Sequence, residues 1–188
     1  MSSINLRKMM VPKQEPLFNY PAGSKLIEVH PLQERMREFY KNNPRSVITA
    51  PRQSGKSVFL IMQATLAREP VLIIAHNTSA SKMLSQMLRQ LCKDNSIEYT
   101  QTIVKGPGQY CISIGINKIM ITTPFAANGY ISSGLYTVYI DEYDLIDLKM
   151  LNLQHLNNAL LVGTSTGKSA NLTQAQIGLF AGLNVNED

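Results

Sequence analysis

The sequence predicts an α/β protein, a three-layer sandwich with a mostly parallel central sheet. Three observations carry that expectation. Apolar strand-like runs alternate with helix-periodic stretches along most of the chain. Val71-Leu72-Ile73-Ile74-Ala75 is apolar throughout, as a parallel strand covered on both faces must be. Finally, three apolar runs end in residues able to meet a ligand: Ala50 into a lysine-bearing turn, Ile140 into Asp141-Glu142, and Val162 into Thr164-Ser165. Ligands of such sheets collect beyond the carboxyl ends of the strands.

Each element has its own justification. Residues 1–24 hold Pro12, Pro16, Pro21 and Gly23 with little periodicity, which predicts an extended N-terminal arm and leaves 25–188 as one domain. Pro31 opens a helix in which Leu32, Met36 and Phe39 recur at helical spacing, with Gln33 expected on a different face. Asn42-Asn43-Pro44 ends it, and Val47 to Ala50 forms the first strand. From Lys56 to about residue 68, apolar residues nearly encircle a helix, which should therefore be buried. The strand 71–75 follows, then a helix N-capped near Thr78 or Ser79, with a stripe of Met83, Leu84, Met87, Leu88 and Leu91.

Further on, Cys111 to Ile114 and Lys118 to Ile121 flank a Gly-Ile-Asn turn and predict a hairpin or edge strands. Residues 122–134 read as a loop, Thr137 to Ile140 as a strand, Leu145 to Leu156 as a helix, and Ala159 to Val162 as a strand. Residues 171–188 hold at most one weak helix.

Composition narrows the class. At 188 residues, with 44% hydrophobic and 16% charged, the chain suits a single domain with a substantial core. No apolar run reaches the ~18 residues of a membrane span, and the N-terminus lacks a secretory h-region, so a cytoplasmic protein is expected. Cys92 and Cys111 are too few for a disulfide framework, and no Cys/His cluster has zinc spacing. A net charge of +5 permits a polyanionic partner without requiring one.

Chemistry gathers around Ala50-Pro51-Arg52-Gln53-Ser54-Gly55-Lys56-Ser57. A strand running into a turn and then a helix lets successive backbone N–H groups and the helix N-terminus face a phosphate. Lys56 then reaches the outer phosphates, and the Ser57 hydroxyl is placed for Mg²⁺. Ala50 stands where the strict pattern has its first glycine. Asp141 suits the metal's water shell and Glu142 the activation of a water; the two tasks need separate carboxylates, since one committed to a metal is a poor base.

The segment Pro51 to Ser57 resembles the deviant phosphate loop of the large terminase subunits, the ATPases that pump DNA into viral heads. Their loops often lack the first glycine and carry Arg-Gln at this place. The likeness extends over roughly residues 30–168. Leu32 to Met36 resembles the family's adenine-recognising segment, Ile74 to Asn77 the strand end after the first helix, Val138 to Glu142 the second nucleotide motif, and Gly163 to Thr166 the coupling motif.

The resemblance implies a RecA-like P-loop ATPase of the ASCE type using ATP and Mg²⁺. Gln33 would contact adenine. Gln53, Ser54, Gly55, Lys56 and Ser57 would cradle phosphate, with Ser57 and Asp141 at the metal. Glu142 would be the catalytic carboxylate, and Thr164 and Ser165 would sense the γ-phosphate. Arg52 is open between stabilising charge on the transferring phosphoryl group and pairing with a structural acid. Implied partners are double-stranded DNA gripped non-specifically by its backbone, a homo-oligomeric ring of copies, the capsid portal and a small terminase subunit.

The family's nuclease domain holds metal with an acidic cluster, and no such cluster follows residue 166, so DNA cleavage is not expected of this chain. Two other readings compete. Asp141-Glu142-Tyr143-Asp144 also fits the DExD pattern of a helicase, which needs a second motor domain. A non-hydrolysing nucleotide switch or DNA-binding scaffold would have no use for Glu142. Lys and Arg are scattered (Arg35, Arg37, Lys41, Arg45; Lys82, Arg89, Lys93), which leaves the DNA-facing surface open, and His76 stays outside the expected site.

Overall fold

A computed structural model describes residues 31–104, 106–156, 158–164 and 180–185. The expected arm at 1–24 and Ser165 lie outside the described residues.

Strands form where β-branched and apolar residues run together, and among the described residues eight of them make one sheet in the order β3-β4-β5-β2-β6-β7-β1-β8. They are β1 (Arg45–Ala50), β2 (Val71–Ile74), β3 (Thr100–Ile103), β4 (Tyr110–Ile114), β5 (Asn117–Thr122), β6 (Thr137–Asp141), β7 (Ala159–Thr164) and β8 (Ala181–Asn184). From β5 across to β8 every pairing is parallel; β4 alone runs against the rest, between β3 and β5. The expected hairpin around Gly115 is the β4–β5 pair, with Ile114 opposite Asn117.

Alternate residues of the central strands point to opposite faces, and both faces are covered. On one side Ile48, Ile73, Tyr139 and Leu160 pack with Met36 of α1 (Pro31–Asn42), with Phe59, Leu60 and Ala64 of α2 (Lys56–Leu66), and with Leu84 and Leu88 of α3 (Thr78–Asp94). On the other, Val47, Leu72, Val138 and Leu161 pack with Ala127 and Ile131 of α4 (Pro124–Ile131) and with Ile146, Leu148, Leu151 and Leu153 beyond β6. This is the expected three-layer sandwich. Each fully buried Leu, Ile or Phe contributes about 1.5–3 kcal/mol, so the two cores fix the central strands firmly.

Four local expectations are corrected. Residues 122–134 contain a helix, α4, with Pro124 in its first turn, a position where the ring costs no hydrogen bond. Residues 145–156 form separate single 3₁₀ turns at Leu148–Met150 and Leu153–His155, following one at Tyr143–Leu145. Their buried residues Ile146, Leu148, Leu151 and Leu153 match no single helical face. The tail adds β8, parallel to β1, where no strand was expected. Gln33 is buried together with Met36, three residues on and therefore on the same side of α1.

Register places the strand ends together. Ala50 lies beside Thr164, Val162 beside Asp141, and Ile140 beside Ile74. β7 thus separates β1 from β6, and the residues that follow β1, β6 and β7 gather at the carboxyl ends of these strands.

Candidate functional site

The turn after β1 is shaped by two residues in the left-handed region, Gln53 (φ 62°) and Gly55 (φ 77°). A Cβ at 55 would stand 2.6 Å from Gln33 Nε2, which donates to Gly55 O at 3.3 Å, so any larger residue there would displace the end of the Gln33 side chain. Ser54 Oγ donates to Pro51 O at 2.8 Å and closes the turn. Gly55 brings no capping side chain to α2, and the first turn of that helix carries no acid, so its N–H groups keep their affinity for an anion.

Lys56 is buried, and its ammonium donates to Ala50 O at 3.1 Å and Pro51 O at 2.6 Å. Burial lowers its pKa, opposed by the attraction of Asp141, Asp144 and Glu142, while Arg52 adds to the lowering. One lysine therefore sits in the field of all three acids. Arg52 itself is exposed on the loop and makes no ion pair among the described residues.

Ser57 Oγ meets both carboxylate oxygens of Asp141, at 3.1 Å and 3.0 Å. Asp141 is 3% exposed. Burial pushes its carboxyl up to about 6; the Ser57 hydroxyl and Lys56 pull it down, and Glu142 pushes it further up. A hydroxyl and a carboxylate are hard oxygen donors of the kind Mg²⁺ takes, and that ion needs few protein ligands when phosphates and water complete its shell. Among the described residues no group of three or more His, Cys, Asp and Glu could hold a metal. Ser57 and Asp141 are then the residues that fit it.

Glu142 follows directly, in a left-handed conformation (φ 49°) that turns the chain off β6. Its Oε2 lies 3.1 Å from His76 Nδ1. At the end of β7 the Thr164 N–H donates to Asp144 Oδ1 at 3.1 Å.

No family model and no curated protein matches the sequence. Solved structures do match its fold. An arginine-to-alanine mutant of the large terminase ATPase domain of Thermus phage P74-26 superposes with a TM-score of 0.56 at 14% identity, covering 86% of this chain and 83% of that one. The large terminase of a thermophilic bacteriophage, in complex with ADP, gives 0.59 at 9% identity over 85% of this chain. The chain has the fold of a large-terminase ATPase domain. It spans 45% of the length of that ADP-bound large terminase.

Within this terminase fold the structure brings Gln33, Gly55, Lys56, Ser57, Asp141, Glu142 and Thr164 to one edge of the sheet. Gln53 is exposed and Ser54 is buried in the same loop. Two further residues belong to the cluster. In sequence Asp144 stands out only as part of a DExD string, and the signal that finds it is its place three residues after Asp141. His76 lies outside the expected site; its signal is a polar residue immediately beyond the most apolar strand.

Gly163 of β7 packs closely against the turn after β6. A Cβ there would stand 2.5 Å from the Tyr143 ring and 2.6 Å from Asp144 Oδ1. Gly163→Ala is therefore expected to cost roughly 1–3 kcal/mol of stability, read as a lowered urea midpoint. An unchanged midpoint would show that the turn after β6 yields freely.

Proposed function

We propose that this chain is an ATP-hydrolysing motor domain, spanning 25–188, that drives viral double-stranded DNA into a preformed capsid. The observation that carries the reading is the Ser57–Asp141 contact at the N-terminus of α2, with both Asp141 and Glu142 acting electrostatically on Lys56. A lysine, a hydroxyl and two acids distant in sequence meet where a helix N-terminus favours phosphate.

In this reading the N–H groups of residues 53–57 and the Lys56 ammonium bind the phosphates, and Gln33 meets the adenine beside Gly55. Ser57 and Asp141 would hold Mg²⁺, which when bound neutralises charge between the outer phosphates. Glu142 takes a proton from the attacking water. Arg52 lies on the loop near enough to act on Lys56 electrostatically and would add charge at the transferring phosphoryl group. Thr164 and Ser165 would relay the loss of that group to β7. The ADP bound by the thermophilic phage's large terminase supports a nucleotide here. The motor works as a ring of copies, gripping DNA backbone phosphates with a steep salt dependence, and docks on the capsid portal with a small terminase subunit in the host cytoplasm. Among the described residues no helix is long and apolar enough to cross a membrane.

The test is nucleotide binding by Lys56→Ala together with DNA-stimulated ATP turnover by the parent. Removing the ammonium from the phosphates should weaken ATP affinity roughly 10- to 100-fold. Unaltered affinity in Lys56→Ala, or a parent with no turnover in the presence of DNA, would remove the motor reading.

A further inference from the structure

We infer that one face of α3 is the surface that holds duplex DNA, with Lys82, Arg89 and Lys93 as its phosphate-binding cations. The inference rests on the motor reading above and adds to it the place where the chain meets its polyanion.

Along the sequence these three cations look scattered. On α3 they align, because Arg89 and Lys93 follow Lys82 by about two and about three helical turns. They make one stripe about 16 Å long, beside the face that buries Ala80, Leu84, Leu88 and Cys92. No acid stands between Thr78 and Lys93. Lys82 and Lys93 are exposed and Arg89 is half-buried, and among the described residues none of the three makes an ion pair. Arg89 Nε donates to Ser85 O at 3.3 Å, which steadies the guanidinium against the helix. The first acids after the stripe are Asp94, whose Oδ1 accepts from Gln90 Nε2 at 2.7 Å, and Glu98 beyond the helix. The cations of α1 stand differently: Arg35, Arg37 and Lys41 are interleaved with Glu34 and Glu38, a mixture with little net pull on a polyanion.

The stripe suits a duplex held without regard to sequence. Each DNA strand carries one phosphate per about 3.4 Å of axis, so three cations spread over about 16 Å meet phosphates in any register. Ser79 and Gln86, exposed on the same side of α3, add donors of the kind that go to phosphate and sugar. The helix is also rooted at the nucleotide edge. It starts just beyond the end of β2, and β2 is hydrogen-bonded to β6, the strand that carries Asp141. Asn77 Oδ1 accepts from Ala80 N at 2.8 Å and caps α3, while Leu84 and Leu88 sit in the core. A stiff element that begins beside the proposed ATP site thus presents the cations.

The experiment measures binding of the full chain to short duplexes of two unrelated sequences, and to single-stranded RNA, from about 50 to about 200 mM salt. Lys82→Gln/Arg89→Gln/Lys93→Gln is expected to bind both duplexes at least roughly 10-fold more weakly, with a log–log salt slope less steep by about 2–3. Arg35→Gln/Arg37→Gln/Lys41→Gln removes the same charge from α1 and should change the slope by less than about 1. Lys82→Arg/Arg89→Lys/Lys93→Arg keeps every charge and should bind as the parent does. Should the triple glutamine variant fail to fold, Lys82→Gln/Lys93→Gln alters only exposed positions and is expected to lower the slope by about 2. ATP turnover without DNA is read in the same preparations and should be the same in all of them.

Equal losses from the α1 and α3 variants would show an effect of net charge and overturn the inference alone. So would duplex binding unchanged by the α3 substitutions, a loss that the charge-keeping variant shares, or a loss confined to RNA. A parent that binds no duplex overturns the inference too, while its nucleotide affinity and basal turnover decide the ATPase reading separately.

Discussion

Glu142→Gln is expected to bind ATP as the parent does and to hydrolyse it roughly 10²–10⁴-fold more slowly, the usual worth of a positioned base. The change removes a proton acceptor and almost nothing else. Glutamine has the same length and keeps an oxygen that can face His76, so the turn off β6 is under no new demand. The phosphate loop, Lys56 and the Ser57–Asp141 pair keep their own hydrogen bonds. Asp141 cannot take over the task, being buried against Ser57, and Asp144 accepts the Thr164 N–H. Equilibrium binding of an ATP analogue and single-turnover hydrolysis separate the two quantities. A rate within a few-fold of the parent would put the base elsewhere and leave a nucleotide switch as the better description.

Much of this architecture was legible because the central strands obey a rule that sequence displays directly. A strand buried on both faces is apolar at nearly every position, as 71–74 and 138–140 are. Where burial is one-sided or irregular the signal fades. The segment 143–156 buries Tyr143, Ile146, Leu148, Leu151 and Leu153 against the sheet through single turns, so its apolar residues follow the surface below them and mimic a helix only in density. β8 shows exposed and half-exposed residues in alternation, Ala181 to Asn184, and gains its place from pairing with β1, which local sequence does not record.

The turn at 51–57 and the Asp141-Glu142 pair were visible as strand ends meeting polar residues. The contacts that organise them were not, because Gln33 against Gly55, His76 against Glu142 and Asp144 against Thr164 are long-range pairings set by strand order. Placing β7 between β1 and β6 brings Thr164 level with Ala50, and no spacing in the chain announces that order.

The second large effect concerns stability. Asp141→Asn is expected to raise the stability of the fold by roughly 2–3 kcal/mol at pH 8, and the gain should shrink toward zero near pH 4. Burial raises the Asp141 carboxyl from its ordinary value near 3.8 to about 6, with Ser57 opposing and Glu142 assisting. A folded value above the unfolded one means that ionisation works against the fold. The protonated acid costs nothing below about pH 4; stability is lost as pH rises toward 6, and above that the full cost is present. Asparagine is neutral throughout, fits the same space and still offers an oxygen to the Ser57 hydroxyl, so it escapes the cost at every pH. Urea unfolding of parent and variant at pH 8 and pH 4 measures the difference. Equal stability at pH 8, or a gain that grows in acid, would mean that the buried carboxylate is better solvated than its 3% exposure implies. In the proposed ATPase reading a charge kept in the core at that expense would be answered by the cation that Ser57 and Asp141 would hold, and activity and stability would then oppose each other at this strand end.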